Sequence, residues 1–405
     1  MKIPIAKPYI GEEEKQATAE VLASGWLVQG VKVAEFEKMV CKFTGAKFAK
    51  ASSSCATALH LALVSLGIGP GDEVLVPSFT FVASVNAIES TGAKPVFVDI
   101  DLKSFNIDVN KAKEYLLRKS DQSTRVAGIM PVHLFGLCAD MSAVMELAKR
   151  YNLFVIEDAA CALGSYCGSE HAGTFGNAGC FSFHPRKLIT TGEGGMLVTD
   201  SQEISTRVSS LRDHGASVSD LERHEKDGFL LPAFEQVGYN YRLTDIQASI
   251  GVEQMKKLQW IIDRRSEKAA KYDEGLRDID CLQIPHVPKG YIHSYQSYVV
   301  TLRDPRNDIV PTNKIEALRI ARDAVMAKLA ERGIATRQGT SAVHRLGYYR
   351  NKYGVKDDDL PISLQAECLT IALPLYPHMT DKEQDYVMVN LRQAVKEISL
   401  SRASK

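Results

Sequence analysis

One lysine lies where a charged side chain is costly. Lys187 follows the apolar residues Phe181 and Phe183 and precedes a glycine-rich turn at 191–195, after which a second apolar run begins at 196. Burying an ammonium costs several kcal/mol unless it is paired or neutralised. A lysine held in such a place can have a lowered pKa and act as an amine nucleophile. The alternative is a hairpin whose lysine reaches solvent along its own apolar stem.

A serine-rich turn is the second stretch whose residues could form part of a functional site. Residues 52–54 are all serine, and an apolar helix is predicted at 56–66 directly after Cys55. The start of a helix presents free backbone N–H groups and the positive end of the helix dipole, which together suit a phosphate group. Ordinary N-capping by serine would produce the same pattern, so this stretch alone leaves both interpretations open.

Polar residues follow several of the predicted strands. Asp99, His133, Glu157 and Asp158 each come at or directly after an apolar run. In open α/β sheets ligands bind at the carboxyl ends of the strands, so these four positions are candidates for a site. A solvated carboxylate at a strand end is also commonplace, and none of the four identifies a site by itself.

The elements that must position these residues alternate between short apolar strands and helices. This alternation predicts a mostly parallel sheet with helices on both faces. Strands are predicted at 73–77, 95–98, 126–132, 153–156 and 297–302. Helices are predicted at 12–24, 33–44, 56–66, 79–90, 111–117, 141–151, 204–214, 245–276, 315–332, 362–372 and 380–398, and a polar loop at 216–234. We place a domain boundary near residue 255, between a large α/β domain (1–255) and a smaller α+β domain (256–405).

Composition excludes several classes of protein. The 405 residues carry no net charge, so the basic footprint of a nucleic-acid-binding protein is absent. No apolar run is long enough to span a membrane, and the first residues lack the apolar core of a signal peptide. Eight cysteines without a C-x-x-C pair and ten histidines without an H-x-x-x-H pair predict free thiols in a reducing cytoplasm and no metal site.

A set of motifs in fixed order covers nearly the whole chain. They are 24–27 (SGWL), 58–63 (ALHLAL), 67–74 (GIGPGDEV), 77–83 (PSFTFVA), 92–99 (GAKPVFVD), 157–160 (EDAA), 182–187 (SFHPRK), 190–195 (TTGEGG) and 238–247 (GYNYRLTDIQ). With these motifs the chain resembles the sugar aminotransferases of the DegT/StrS family. Those enzymes depend on pyridoxal phosphate and have the architecture called fold-type I. The resemblance therefore implies a seven-stranded, mostly parallel sheet between helices, followed by a smaller C-terminal domain.

The resemblance also implies a role for each matching residue at the cofactor. Lys187 would bind the cofactor covalently, and Asp158 would face the pyridine nitrogen and keep it protonated, so that the ring acts as an electron sink. Phe81 would stack on the ring. The phosphate would be held by Ser182 and by the start of the helix at Cys55, Ala56 and Thr57.

Further residues are implied to complete the site. Asn240 would reach the phosphate from a neighbouring subunit, which implies a homodimer with shared active sites. Arg242 would meet a substrate carboxylate. Apart from what the resemblance implies, Trp26, His184 and His344 are candidates to border the sugar, and His344 and Trp26 are equally compatible with packing.

The chain departs from the family pattern at two positions. Cys161 stands where the family commonly has glutamine or histidine beside the phenolic oxygen of the cofactor, and a thiol is a weak donor. Ala56 stands where threonine is common, so Thr57 or the backbone would have to make that hydroxyl's contact.

The expected activity is transfer of an amino group from glutamate to a 3- or 4-keto group of a nucleotide-linked sugar. A dehydratase of the same fold is disfavoured, since those relatives commonly carry histidine at the position of Lys187. Two alternatives stay open: an aminotransferase acting on a keto-cyclitol, and a non-catalytic regulatory protein that keeps the fold. A yellow purified protein would argue against the second.

Overall fold

A computed structural model describes residues 1–119, 125–218, 232–304 and 309–403, with the side chains of 313 and 399–403 left aside. Most of the loop predicted at 216–234 lies outside the described residues. The helices are α1 Glu12–Ser24, α2 Val31–Thr44, α3 Cys55–Ser65, α4 Val82–Ser90, α5 Val109–Lys119, α6 Met141–Tyr151, α7 Gln202–Leu211, α8 Asp245–Leu276, α9 Thr312–Glu331, α10 Gly347–Tyr353, α11 Pro361–Leu369 and α12 Asp381–Ala403. Short 3-10 turns occupy Leu134–Gly136, Val343–Arg345 and Asp357–Asp359.

The strands are β1 Phe48–Ser52, β2 Asp72–Pro77, β3 Phe79–Thr80, β4 Lys94–Val98, β5 Arg125–Ile129, β6 Phe154–Asp158, β7 Tyr166–Cys167, β8 Glu170–His171, β9 Ala178–Ser182, β10 Gly195–Thr199, β11 Leu282–Gln283, β12 Tyr291–Ile292, β13 Tyr298–Leu302, β14 Ser341–Ala342 and β15 Thr370–Leu373. Seven of them form one sheet in the order β1-β10-β9-β6-β5-β2-β4. Only β10 runs against the others, because it is antiparallel to both of its neighbours while the remaining pairs are parallel. The predicted seven-stranded, mostly parallel sheet is confirmed.

The sheet is buried on both faces, as a parallel sheet with helical crossovers must be. Alternate residues of a strand point to opposite faces, and β6 follows this rule. Val155 packs in one apolar cluster with Phe36 of α2, and Ile156 packs in another with Leu59 of α3. The two clusters hold the carboxyl ends of β6 and β9 at one edge, where Asp158 and Ser182 lie.

Helix α8 leads from the large sheet to a second unit. Its buried residues as far as Ile262 belong to the core of the sheet, whereas those from Ala269 onward pack in a separate core around β11, β13 and β15. These three strands form a small antiparallel sheet. Ile3, near the start of the chain, also packs in this second core and pairs with Ile334. The boundary near residue 255 remains a prediction.

Two predicted helices are wrong at one end. The helix predicted at 79–90 begins only at Val82, because Phe79 and Thr80 form β3 and pair with β14. The helix predicted at 362–372 ends at Leu369, and the next four residues form β15 against β13. In both places pairing with a distant strand outweighs the local apolar pattern.

In the described part of the chain, no helix combines the length and the apolar character that crossing a membrane requires. All eight cysteines are free thiols.

Candidate active site

The start of α3 forms an open cradle of backbone N–H groups. Ser54 caps the helix by accepting the Thr57 N–H at 3.1 Å, and Thr57 Oγ1 in return accepts the Ser54 N–H at 3.0 Å. The first N–H groups of a helix have no acceptor within it, and the cap satisfies only that of Thr57. A side chain on Gly195 would lie 2.5 Å from the Cys55 nitrogen, so only glycine allows β10 to pass this close to the cradle.

Lys187 lies in the turn between β9 and β10, the two strands that flank the start of α3. Its backbone N–H donates to the His184 carbonyl at 2.8 Å, and its Nζ donates to Cys161 Sγ at 3.1 Å. Burial acts to lower the pKa of Lys187, but three neighbours, Cys161 first and then Cys55 and Asp158, raise it overall. Burial alone would give the lowered pKa that the sequence offered as one interpretation, but in the folded chain the neighbouring carboxylate and thiols favour the ammonium form.

Asp158 ends β6 and is 5% exposed. Its Oδ2 accepts the Ser84 hydroxyl at 2.6 Å and its Oδ1 accepts the Ala160 N–H at 3.1 Å. These two bonds fix the orientation of the carboxylate while leaving each oxygen with further capacity to accept. A buried carboxylate oriented in this way can stabilise a cationic group placed opposite it.

These groups line one cavity of about 550 Å³. Its walls include eight of the thirteen residues predicted for the site: Cys55, Ala56, Phe81, Asp158, Cys161, Ser182, His184 and Lys187. Phe81 stands at the start of α4 with 65% of its surface exposed, so its ring can serve as an apolar platform. A cavity of this volume, mainly apolar with a few convergent polar groups, is typical of a site for a small molecule or cofactor.

Five predicted residues lie elsewhere in the chain. Thr57 turns back onto Ser54 in the cap described above. Trp26 Nε1 donates to the Gln29 carbonyl at 3.3 Å, and Arg242 forms an ion pair with Asp213. Asn240 is exposed.

The fifth, His344, is 1% exposed and its Nδ1 lies 2.6 Å from Ser78 Oγ. It lines a different cavity, of about 320 Å³, together with Arg345 and Asp357. Its role at the sugar remains a prediction, as do the roles of Trp26 at the sugar, of Arg242 at a carboxylate, and of Asn240 and Thr57 at the phosphate.

The structure also brings to the cavity polar residues that the sequence interpretation missed. Ser84 orients Asp158 from the first turn of α4, and Arg186, Gln296 and Arg337 line the wall. Arg186 lies next to Lys187 in the motif at 182–187, so its place in the sequence could have indicated that it lies at the site. The other three are separated from Lys187 by about a hundred residues or more of chain, and no local pattern connects them.

Among the residues described, no group of three or more His, Cys, Asp or Glu side chains is arranged to hold a metal ion. The site instead offers one amine, one oriented carboxylate, an aromatic platform and a helix start. This set suits a planar cofactor that has an aldehyde, a basic ring nitrogen and a phosphate.

Comparison with known proteins gives the same family along nearly the entire chain. The model of the DegT/DnrJ/EryC1/StrS aminotransferase family matches residues 8–392. The spore coat polysaccharide biosynthesis protein SpsC of Bacillus subtilis is 37% identical over 394 residues, which cover 97% of each chain.

Solved structures agree with this result. The aminotransferase TlmJ of Streptoalloteichus hindustanus is 30% identical with a TM-score of 0.85, over 98% of this chain and 100% of that one. PseC of Helicobacter pylori, an aminotransferase involved in the biosynthesis of pseudoaminic acid, is 25% identical with a TM-score of 0.86 over the same shares. The predicted fold class, fold-type I, is confirmed.

Proposed function

Because the chain belongs to the DegT/DnrJ/EryC1/StrS aminotransferase family, we propose that it is a pyridoxal-phosphate-dependent transaminase. In this proposal it moves the amino group of glutamate to a keto group of a nucleotide-linked sugar. The observation that carries the proposal is the convergence of the Lys187 amine, the Asp158 carboxylate and the start of α3 on one cavity.

The residues present fit the cofactor. Lys187 is the amine available for its aldehyde, and Asp158 is the acceptor for a protonated ring nitrogen. Ser182 and the N–H groups at the start of α3 form the phosphate end, where the helix dipole favours an anion. Phe81 would cover one face of the ring, and Cys161 would lie at its edge, since its sulfur is 3.1 Å from Lys187 Nζ.

When bound, the cofactor supplies an electron sink for the carbon that gains or loses the amino group. The chain supplies the proton transfer. Once the incoming amine has displaced Lys187, the Nζ of Lys187 is free. It can then take a proton from the substrate carbon as a general base and return it as a general acid. Ser84 and the Ala160 N–H hold the Asp158 carboxylate in position opposite the ring nitrogen that it would face.

The proposed sugar substrate rests on the relatives. SpsC is named for spore coat polysaccharide biosynthesis and PseC for pseudoaminic acid. A role in amino-sugar or polysaccharide biosynthesis is therefore the natural one, with amination at either C3 or C4. The alternative acceptor is a keto-cyclitol, and glutamate remains the proposed donor in both cases.

The homodimer belongs to the same proposal. Asn240 is exposed and lies outside the cavity of its own chain, as a residue contributed to a partner's site would. If sites are shared, mixing Asn240→Ala with Lys187→Ala subunits restores part of the activity that each variant lacks. Absence of any restored activity in mixed dimers would argue against shared sites.

We place the enzyme in the cytoplasm, since its eight free thiols suit a reducing compartment. Cell fractionation tests this.

The decisive experiment is a substrate panel. Purified protein loaded with pyridoxal phosphate is incubated with glutamate and with UDP-, GDP- or dTDP-linked keto-sugars, or with a keto-cyclitol, and the products are read by mass. One of the keto-sugars should gain an amino group. Lys187→Ala should form no product and should lose the visible absorbance of the covalently bound cofactor. Wild-type turnover by this variant would contradict the assignment, and a protein that never binds the cofactor would indicate the regulatory alternative.

A further inference from the structure

Two arginines reach the candidate site from separate parts of the fold. Arg186 precedes Lys187 in the turn between β9 and β10, and Arg337 lies between α9 and β14, in the C-terminal part of the chain. Both side chains line the 550 Å³ cavity and both are exposed to solvent. A small molecule in the cavity would therefore meet two guanidinium groups.

The backbone holds both arginines in place while their side chains remain available. Gln296 Nε2 donates to the Arg186 carbonyl at 2.9 Å. Arg337 exchanges two backbone hydrogen bonds with Ala372, at 3.3 and 2.6 Å. Anchoring of this kind lowers the ordering cost when a ligand binds.

No carboxylate of the described chain forms an ion pair with either arginine. Neither guanidinium has an ion pair or a side-chain hydrogen bond among the described residues. Two carboxylates line the cavity, and neither is paired with these arginines: Asp158 accepts hydrogen bonds from Ser84 and Ala160, and Glu193 acts to raise the pKa of His184. Burial, and next the positive charge of Arg337, lower the pKa of Arg186. Two cations that line one cavity repel each other. An anion between them would relieve that repulsion.

We propose that Arg186 and Arg337 form an anion subsite that binds the charged group of the substrate, a carboxylate of the amino donor or the diphosphate of the nucleotide-linked sugar. Guanidinium groups match both anions, since each offers two parallel donors to a pair of oxygens. This inference rests on the proposed function, because the two half-reactions of a transaminase would bring both kinds of substrate into the same cavity. Arg242, the residue expected to meet a carboxylate, is instead occupied by Asp213.

Binding of simple anions to the cofactor-loaded protein tests the subsite without relying on turnover. The loaded protein is used because its phosphate cradle is then filled. Calorimetric titration with 2-oxoglutarate reports carboxylate binding, and titration with inorganic pyrophosphate reports diphosphate binding. Arg186→Gln and Arg337→Gln should each weaken binding of at least one probe by about tenfold or more, as expected for loss of a hydrogen bond between charged groups. The matched control is Arg207→Gln on α7, which lies outside the cavity and should leave both affinities unchanged.

Each pattern of results has one meaning. Loss of pyrophosphate binding alone assigns the subsite to the sugar nucleotide, loss of 2-oxoglutarate binding alone assigns it to the amino donor, and loss of both assigns it to both half-reactions. Affinities unchanged in the two single variants and in the double variant overturn the proposal. If one variant fails to fold, judged by its melting curve, the other single variant decides. Failure of the proposed function is seen separately, as an absence of product in the substrate panel while the probes still bind.

Discussion

Glu157 and Asp158 are consecutive carboxylates at the end of β6, and they lie on opposite faces of the sheet. Glu157 is fully buried and accepts four donors: His133 Nε2 at 2.8 Å and the N–H groups of Gly173, Phe175 and Gly176, each at 2.7 Å. Asp158 accepts two donors and lines the cavity. The same chemical group thus closes a loop on one face of the sheet and stands in a candidate active site on the other.

The physical reason for the difference is how much of each carboxylate's capacity to accept hydrogen bonds is already used. Four donors use the full acceptor capacity of Glu157. His133 Nδ1 accepts the Ala139 N–H at 3.0 Å, so the hydrogen of this imidazole sits on Nε2 and is donated to Glu157. Asp158 keeps spare capacity toward the cavity. A saturated carboxylate stabilises the fold, whereas one that is oriented but unsaturated is available to a ligand.

The largest expected effect is on activity. Asp158→Asn should reduce turnover in the proposed reaction by about 10²–10³-fold, because a preorganised charge at the site is lost. Its effect on the free energy of unfolding should be only about 1 kcal/mol, since the amide oxygen still accepts one of the two donors. Turnover and urea unfolding measured on the same preparation check both parts. A variant with wild-type turnover would remove Asp158 from the chemistry.

The second largest effect is on the stability of the fold and concerns Glu157, on the opposite face of the sheet from Asp158. Glu157→Gln should lower the free energy of unfolding by about 3 kcal/mol, because an amide nitrogen replaces an acceptor and leaves buried donors unpaired. The matched control is Glu170→Gln, an exposed carboxylate on β8, which should change stability by less than about 0.5 kcal/mol. Urea unfolding followed by fluorescence measures both variants. Equal stability of the two would show that the four short bonds do not stabilise the fold.

The smallest effect concerns the pKa of the lysine beside Asp158. Among the neighbouring groups, Cys161 contributes most to raising the pKa of Lys187, against burial, which lowers it. Cys161→Ser removes the thiol that contributes most to raising the pKa of Lys187 and leaves burial in place, so that pKa should fall and the neutral amine should appear at lower pH. The pH dependence of covalent cofactor binding to the cofactor-free protein, followed by visible absorbance, should shift downward. Cys55→Ser should shift it less, because Cys55 acts more weakly on Lys187; a larger shift for Cys55→Ser would reverse this ranking.

Much of the fold could be predicted from local patterns. Helices at 12–24 and 141–151 match α1 and α6 at both ends, and the strand–helix alternation predicted the sheet. Pairing between distant segments could not be predicted this way. Phe79 and Thr80 looked helical because their neighbours are, but Ser341 and Ala342, which draw them into a strand, are more than 250 residues away.

The residues of the candidate site can likewise be separated into those that local sequence patterns indicated and those that only the folded structure brings together. Lys187 stood out because an ammonium beside apolar strands and a glycine-rich turn is locally anomalous. Asp158 was one of four polar residues at strand ends, and only the resemblance to the family distinguished it from the other three. The sequence alone therefore determined which reactive groups the chain carries and, through their spacing, the sheet edge at which they gather. Tertiary structure alone decided that Ser84 orients Asp158, that the Cys161 sulfur lies against Lys187 Nζ, and that Arg337 joins Arg186 at the cavity. The orientation of a side chain and its contacts with residues far away in the sequence depend on how the elements pack, and a local sequence pattern contains no information about that packing.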